Sequence, residues 1–181
     1  MIIVNFYGGP GAGKSTCAAY VFSKLKMYGI SVELVNEYAK EKIWEENNII
    51  LSNQVYLFAK QYVGITRVQG KVDVVVMDSP MMLSVFYNKD TEIADSFEHL
   101  IVDCYHKFDN MDYWVSKTKD IRYDSVGRQQ DEKEADEIGR SLIDILNKYK
   151  IDYQRITVIK KDLDRVVKDI IRRCDLNGCA T

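Results

Sequence analysis

The first 29 residues, MIIVNFYGGPGAGKSTCAAYVFSKLKMYG (Met1 to Gly29), decide the fold. Ile2-Ile3-Val4-Asn5-Phe6 is a short apolar run rich in β-branched residues and bounded by Gly8, the pattern of a buried strand. Cys17, Ala18, Val21, Phe22 and Leu25 then recur at helical spacing until Gly29 stops the pattern. Between the two lies Gly8-Gly9-Pro10-Gly11-Ala12-Gly13-Lys14-Ser15-Thr16, which fits G-x-x-x-x-G-K-[ST] in the strand, loop and helix context that this motif requires. Glycines let the backbone curl around a phosphate chain with its N–H groups inward, and the helix that starts here adds the positive end of its dipole.

Each position in the loop then has an expected task. The amides of Gly8, Gly9, Gly11, Ala12 and Gly13 cradle phosphate, Lys14 reaches the β- and γ-phosphates as a point charge, and Ser15 offers its hydroxyl to Mg²⁺. Thr16 falls near the α-phosphate. The expected cofactors are ATP and Mg²⁺. A plain glycine-rich turn followed by a chance lysine is the bland alternative.

The alternation continues along the chain. Strands are expected over Ser31 to Asn36, Val72 to Met77, Tyr113 to Ser116 and Arg155 to Ile159. Helices are expected over Leu51 to Val68, Ile93 to Phe108, Asp131 to Tyr149 and Leu163 to Cys174. Repeated strand and helix units imply an α/β, three-layer fold with about five parallel strands covered by helices on both faces. At 181 residues the length suits one domain spanning 1–181.

Composition narrows the partners. The chain is 46% hydrophobic and 29% charged, with a formal net charge of −2, so it is ordinary globular material rather than a polyanion binder. The apolar run at the start is too short and too soon broken for a signal peptide or a membrane span, so no membrane is expected and the reading is cytoplasmic. Cys17, Cys104, Cys174 and Cys179 have no disulfide-framework spacing and are read as free thiols. His99, Cys104 and His106 lack a fourth zinc ligand and are not read as a metal site. Arg165, Lys168, Arg172 and Arg173 form a solvated helix face, the one place a nucleic-acid backbone could touch. DNA is not indicated by the net charge, and the oligomeric state is left open.

Two acids sit where chemistry would need them. Asp78 ends the apolar run Val72-Asp73-Val74-Val75-Val76-Met77, at the strand end where ligands gather in α/β sheets, and is expected to hold Mg²⁺ directly or through water. A helix cap before Ser79-Pro80 is its alternative. Ser79 stands where a water-polarising glutamate would serve hydrolysis, which favours transfer to a substrate. Glu37 opens Glu37-Tyr38-Ala39-Lys40 after another strand and could take the proton of an attacking hydroxyl, or be an ordinary helix-start glutamate. Which of Glu37 and Asp78 is the base stays open. Gln54 and Gln61 are candidate substrate contacts.

Residues 117–130, within Ser116-Lys117-Thr118-Lys119-Asp120-Ile121-Arg122-Tyr123-Asp124-Ser125-Val126-Gly127-Arg128-Gln129-Gln130, are polar and long for a connection, as in a lid. Arg122 and Arg128 flank Gly127 and are expected to fold over the triphosphate. The acids Asp131, Glu132 and Glu134 are read as compensation of a helix start.

With the glycine loop, EYAK, the strand ending in DSP and RYDSVGRQQ on the page, most of the chain resembles the P-loop kinases of the small AAA-type ATPase group. That group includes the nicotinamide riboside kinase domain of bacterial NAD salvage proteins, and phage-encoded kinases proposed to act on 5-hydroxymethyluracil in DNA are similar. The resemblance implies a P-loop NTPase fold and transfer of the ATP γ-phosphoryl group to a hydroxyl of a nucleoside, nucleotide or modified base. It implies Lys14 and Ser15 at phosphate and metal, Asp78 in the Mg²⁺ shell, an acid near Glu37 by the acceptor, and arginines at Arg122 and Arg128. A phage source would place it in host cytoplasm.

Two rivals remain. A nucleoside monophosphate kinase needs arginines near Glu37 to hold the acceptor phosphate, and few are there. A nucleotide-operated ATPase or GTPase switch would show Asn-Lys-x-Asp, and Asn88-Lys89-Asp90-Thr91 departs at the fourth position.

Overall fold

The computed structural model describes residues 1–88, 90–117 and 132–178. Its five strands are β1 (Ile2–Tyr7), β2 (Val32–Val35), β3 (Val74–Met77), β4 (Asp109–Ser116) and β5 (Gln154–Thr157). They form one sheet in the order β2-β3-β1-β4-β5, with every neighbouring pair parallel. The helices are α1 (Lys14–Met27), α2 (Tyr38–Trp44), α3 (Asn48–Leu51), α4 (Gln54–Thr66), α5 (Leu83–Tyr87), α6 (Ala94–His106), α7 (Glu132–Lys148) and α8 (Lys160–Asn177). None among the described residues is long and apolar enough to cross a membrane.

The period-2 alternation of β1 assigns its side chains to two cores. Ile2, Val4 and Phe6 pack with Cys17, Val21 and Leu25 of α1 and with Leu163, Val166 and Ile170 of α8. Ile3 and Tyr7 face the other way, onto Phe58 and Ile65 of α4, Phe97 and Ile101 of α6, and Leu142 and Leu146 of α7. Burial on both faces is why all six residues of the central strand are inside and why it reads as a continuous apolar run. The outer strands β2 and β5 are more exposed, as edges are. The three-layer α/β reading and its five parallel strands are thus what the chain forms.

Several elements differ from expectation. The helix expected from Leu51 is two, because the Asn47 side chain accepts from the Ile50 amide at 3.1 Å and Asn53 from the Tyr56 amide at 2.9 Å, so each asparagine starts its own helix. Tyr38–Trp44 and Leu83–Tyr87 are short helices that the apolar spacing did not announce. Strand β4 starts at Asp109, four residues before Tyr113, pairing Ile2 with Asp109 and Asn5 with Asp112.

That polar start looks like a turn in the sequence because its partners lie elsewhere. Asn5 Nδ2 donates to Asn110 Oδ1 and Asp112 Oδ1, each at 3.0 Å, and the Tyr105 hydroxyl donates to Asp112 Oδ2 at 2.7 Å. Asp109 takes Arg173 through Nε at 3.1 Å and Nη2 at 2.7 Å. Burial pushes the Asp112 carboxyl up to about 6, against the pull of the Tyr105 and Asn5 hydrogen bonds. A carboxyl raised above its unfolded value of 3.8 favours the folded state while protonated, and that advantage is lost as pH rises through its folded value. Asp112→Asn is therefore expected to flatten the fall in stability between pH 4 and 7 by up to about 3 kcal/mol. Urea melts of both proteins across that range check it, and parallel curves would reject it.

Candidate active site

Because all five strands run the same way, their carboxyl ends gather on one edge of the sheet. Gly8 follows β1 directly, Asp78 follows β3 directly, and Glu37 comes two residues after β2. A cavity of about 250 Å³ opens there. Its floor is the glycine loop, with Gly8, Gly11, Gly13, Lys14, Ser15 and Thr16. Its walls come from α2 and the residue before it (Glu37, Ala39, Lys40, Ile43), from α4 (Gln54, Leu57, Gln61), from α5 (Leu83, Ser84, Tyr87), and from Leu51, Ser79 and Leu142.

The loop has the shape an anion needs. Gly11 at φ 78° and Gly13 at φ 96° sit in the left-handed region, which any residue with a Cβ resists. Gly13 caps α1 without a side-chain hydrogen bond, and no acid occupies the first turn of this 14-residue helix. Its leading amides are therefore left for a ligand, in the field of the helix dipole. The Lys14 ammonium lies back over the loop, donating to the carbonyls of Gly8 at 2.9 Å and Gly9 at 3.1 Å. Gly9 and Ala12, expected to cradle phosphate, are absent from the cavity lining.

Gly9 instead meets α7. A Cβ built on it would lie 2.4 Å from the Ala135 carbonyl oxygen, with the Gly139 Cα 3.7 Å away. Lys117 Nζ and Asp136 Oδ1, 2.6 Å apart, tie the end of β4 to the same helix beside this contact.

Asp78 is buried, and its Oδ1 has no hydrogen-bond partner among the described residues. Burial pushes its carboxyl up, while a hydrogen bond with Ser15 and the charges of Lys14 and Lys40 pull it down. An orphaned buried carboxylate oxygen next to a serine hydroxyl is a pair of hard oxygen donors, so these residues fit Mg²⁺. The helix-cap alternative for Asp78 falls, since α5 begins five residues later with Met82 as its cap. Glu37 is in the cap position of α2, yet its side chain makes no capping hydrogen bond. Its charge, after burial, helps to raise the Tyr87 phenol to about 12, and both residues line the cavity.

Gln61 and Gln54 both line the cavity, and the Gln61 amide nitrogen donates to the Ser79 carbonyl, bracing the segment behind Asp78. Tyr87, Ser84, Leu83 and Lys40 belong to the site and were not expected from the sequence. For Lys40 a signal existed, its spacing three residues after Glu37 on one helix face. For α5 there was none. Arg122, Arg128 and the expected lid beyond Lys117 lie outside the described residues, as do Cys179, the side chain of Glu132, and Asp131. Along α8, Arg165 pairs with Asp162 at 3.7 Å, Arg172 with Asp169 at 3.9 Å and Arg173 with Asp109 at 2.7 Å. That face carries its own counter-charges.

A glycine loop feeding an uncapped helix at the carboxyl edge of a parallel five-stranded sheet defines an α/β protein of the P-loop NTPase type. The AAA domain family model matches residues 3–165, and the chain belongs to that family. The fold is also that of solved structures of deoxyadenosine kinase from M. mycoides. With dATP bound, that enzyme superposes at a TM-score of 0.58 and 14% identity, covering 93% of this chain and 99% of the other. With the products dCMP and a flexible dCDP, it gives a TM-score of 0.54 at 14% identity, covering 96% and 98%. No curated protein sequence matches the chain.

Proposed function

We propose that this protein is a phosphotransferase, a P-loop kinase that moves the γ-phosphoryl group of ATP to a hydroxyl of a nucleoside, nucleotide or modified nucleobase. The observation that carries this reading is the continuity of the cavity. One space runs from the glycine loop to a wall of Leu51, Leu57, Leu83, Gln54, Gln61 and Tyr87, so a donor phosphate and a partly apolar, hydrogen-bonding acceptor would share it. A machine that only hydrolyses its nucleotide needs room for a water there, not a second lined compartment. The likeness to deoxyadenosine kinase structures supports the same class.

In this mechanism the amides of Gly8, Gly11, Gly13, Lys14 and Ser15 hold the phosphate chain, and Lys14 turns from its own loop's carbonyls to the β- and γ-phosphates. Ser15 and Asp78 are the residues that would hold Mg²⁺, which when bound neutralises charge on the phosphate oxygens. Glu37 lines the same cavity and in this reading takes the hydroxyl proton as the new bond forms. Asp78, buried behind Ser15 and better placed for metal, is not the base. Of the substrates that the family resemblance suggested, nicotinamide riboside and 5-hydroxymethyluracil in DNA remain acceptors to test.

The test is transfer from γ-labelled ATP with Mg²⁺ to separate pools of nucleosides, nucleoside monophosphates, nicotinamide riboside and hydroxymethylated DNA. Label in one pool supports the kinase and assigns its acceptor; phosphate release with no labelled product in any pool would replace it with the switch reading. With the acceptor known, Glu37→Gln is expected to lower kcat by about 10²- to 10⁴-fold and leave ATP affinity within about threefold. An unchanged kcat would move the base elsewhere.

A further inference from the structure

Among the described residues that wall the cavity, two carry positive charge, Lys14 and Lys40. Lys14 rises from the loop floor. Lys40 stands on the wall that α2 forms, one helical turn beyond Glu37, with the Lys40 amide donating to the Glu37 carbonyl at 3.3 Å. Along the same helix Lys42 holds Glu45 at 2.7 Å, and beyond β4 Lys117 holds Asp136 at 2.6 Å. Lys40 has no salt bridge of that kind among the described residues, although Glu41 is its neighbour in sequence.

We propose that the Lys40 ammonium binds the γ-phosphoryl group from the α2 wall of the cavity, with Lys14 on the floor, and so is a second cation for the group being transferred. The proposal rests on the kinase reading above and deepens it. A phosphoryl group in flight leaves the donor oxygens that the glycine loop and Lys14 hold, and its three outer oxygens keep their charge on the way to the acceptor. A cation fixed only on the donor floor follows that charge poorly. One on the α2 wall, beside the base, meets it where it arrives.

Lys40 is an exposed residue, and its place in the cavity lining is what brings it to the site. Lys40 contributes to the cavity wall on the same helix face as Glu37 and Ile43. The two lysines thus line one cavity from different elements, one from α1 and one from α2.

The experiment compares Mg²⁺ with ADP and Mg²⁺ with AMP-PNP, which differ in the γ-phosphate mimic, by calorimetry on the wild type, Lys40→Met and Lys40→Arg. Lys40→Met is expected to weaken AMP-PNP by about tenfold and leave ADP within about twofold, and Lys40→Arg to restore most of the difference. Equal affinities in wild type and Lys40→Met, or equal losses for both nucleotides, would overturn the proposal while leaving nucleotide binding, and the kinase reading, in place. Failure of the wild type to bind either nucleotide would overturn both. Thermal melts of the variants separate any loss of fold from loss of contact.

Discussion

Lys14→Ala is expected to cut phosphoryl transfer by at least about 10²- to 10³-fold while the protein melts within about 1 kcal/mol of the wild type. The two parts of that outcome have different origins. The ammonium donates to the Gly8 and Gly9 carbonyls of its own loop, and those hydrogen bonds tie the loop only to itself. The transferring phosphate would lose the one fixed cation on the floor of the cavity, in a site partly closed to water where charge is worth most. Transfer assays with γ-labelled ATP beside thermal melts by circular dichroism check both halves. Turnover near the wild-type rate would remove Lys14 from the mechanism, and a collapsed melt would make the substitution uninformative about chemistry, in which case Lys14→Met supplies the neutral replacement of similar length.

The second large effect is expected from Gly9→Ala. In the motif this position is one of four unspecified residues, and the pattern alone would permit alanine. In the fold, the added Cβ would come within 2.4 Å of the Ala135 carbonyl oxygen, a backbone atom that cannot rotate away. Either the loop or the start of α7 must move. Overpacking of this kind costs about 1–3 kcal/mol, which for a protein of this size lowers the Tm by about 3–10 °C. Nucleotide affinity should fall with it, because the displaced segment is continuous with the amides of Gly11 and Gly13. A differential scanning melt and a calorimetric titration with ATP and Mg²⁺ read the two effects, and an unchanged Tm would mean that the contact between the loop and α7 is looser than it is here.

These expectations divide the molecule by what each residue answers to. Gly11 and Gly13 answer to local geometry, a positive φ at the start of a helix, and such needs leave their mark in a short stretch of chain. The same is true of the strand that ends at Asp78, since a β-branched run closed by an acid can be seen in seven residues. Gly9, Lys40 and Tyr87 answer to segments that arrive from elsewhere. Gly9 meets a helix more than 120 positions away, and Tyr87 reaches the cavity wall on a five-residue helix too short to show a period. The split between α3 and α4 lies in between: Asn53 is a cap signal in the sequence, outweighed there by the apolar spacing on either side of it.

Strand β4 makes the same point for the sheet. Asp109, Asn110 and Asp112 look like turn residues by composition, and they became strand because Asn5, Tyr105 and Arg173 stand ready to satisfy them. Propensity had no access to those partners.

Read along the chain alone, the residues establish the alternation of strands and helices, the phosphate loop, and the acids that follow two of the strands, because each of these is written in spacing and backbone preference over a few neighbours. The tertiary structure decides the order of the strands, the wall that joins Lys40, Tyr87 and Glu37 into one cavity, and the reason Gly9 cannot carry a side chain. Those depend on which distant segments are pressed together when two apolar faces of one sheet are buried at once, and that is a property of the whole packed chain.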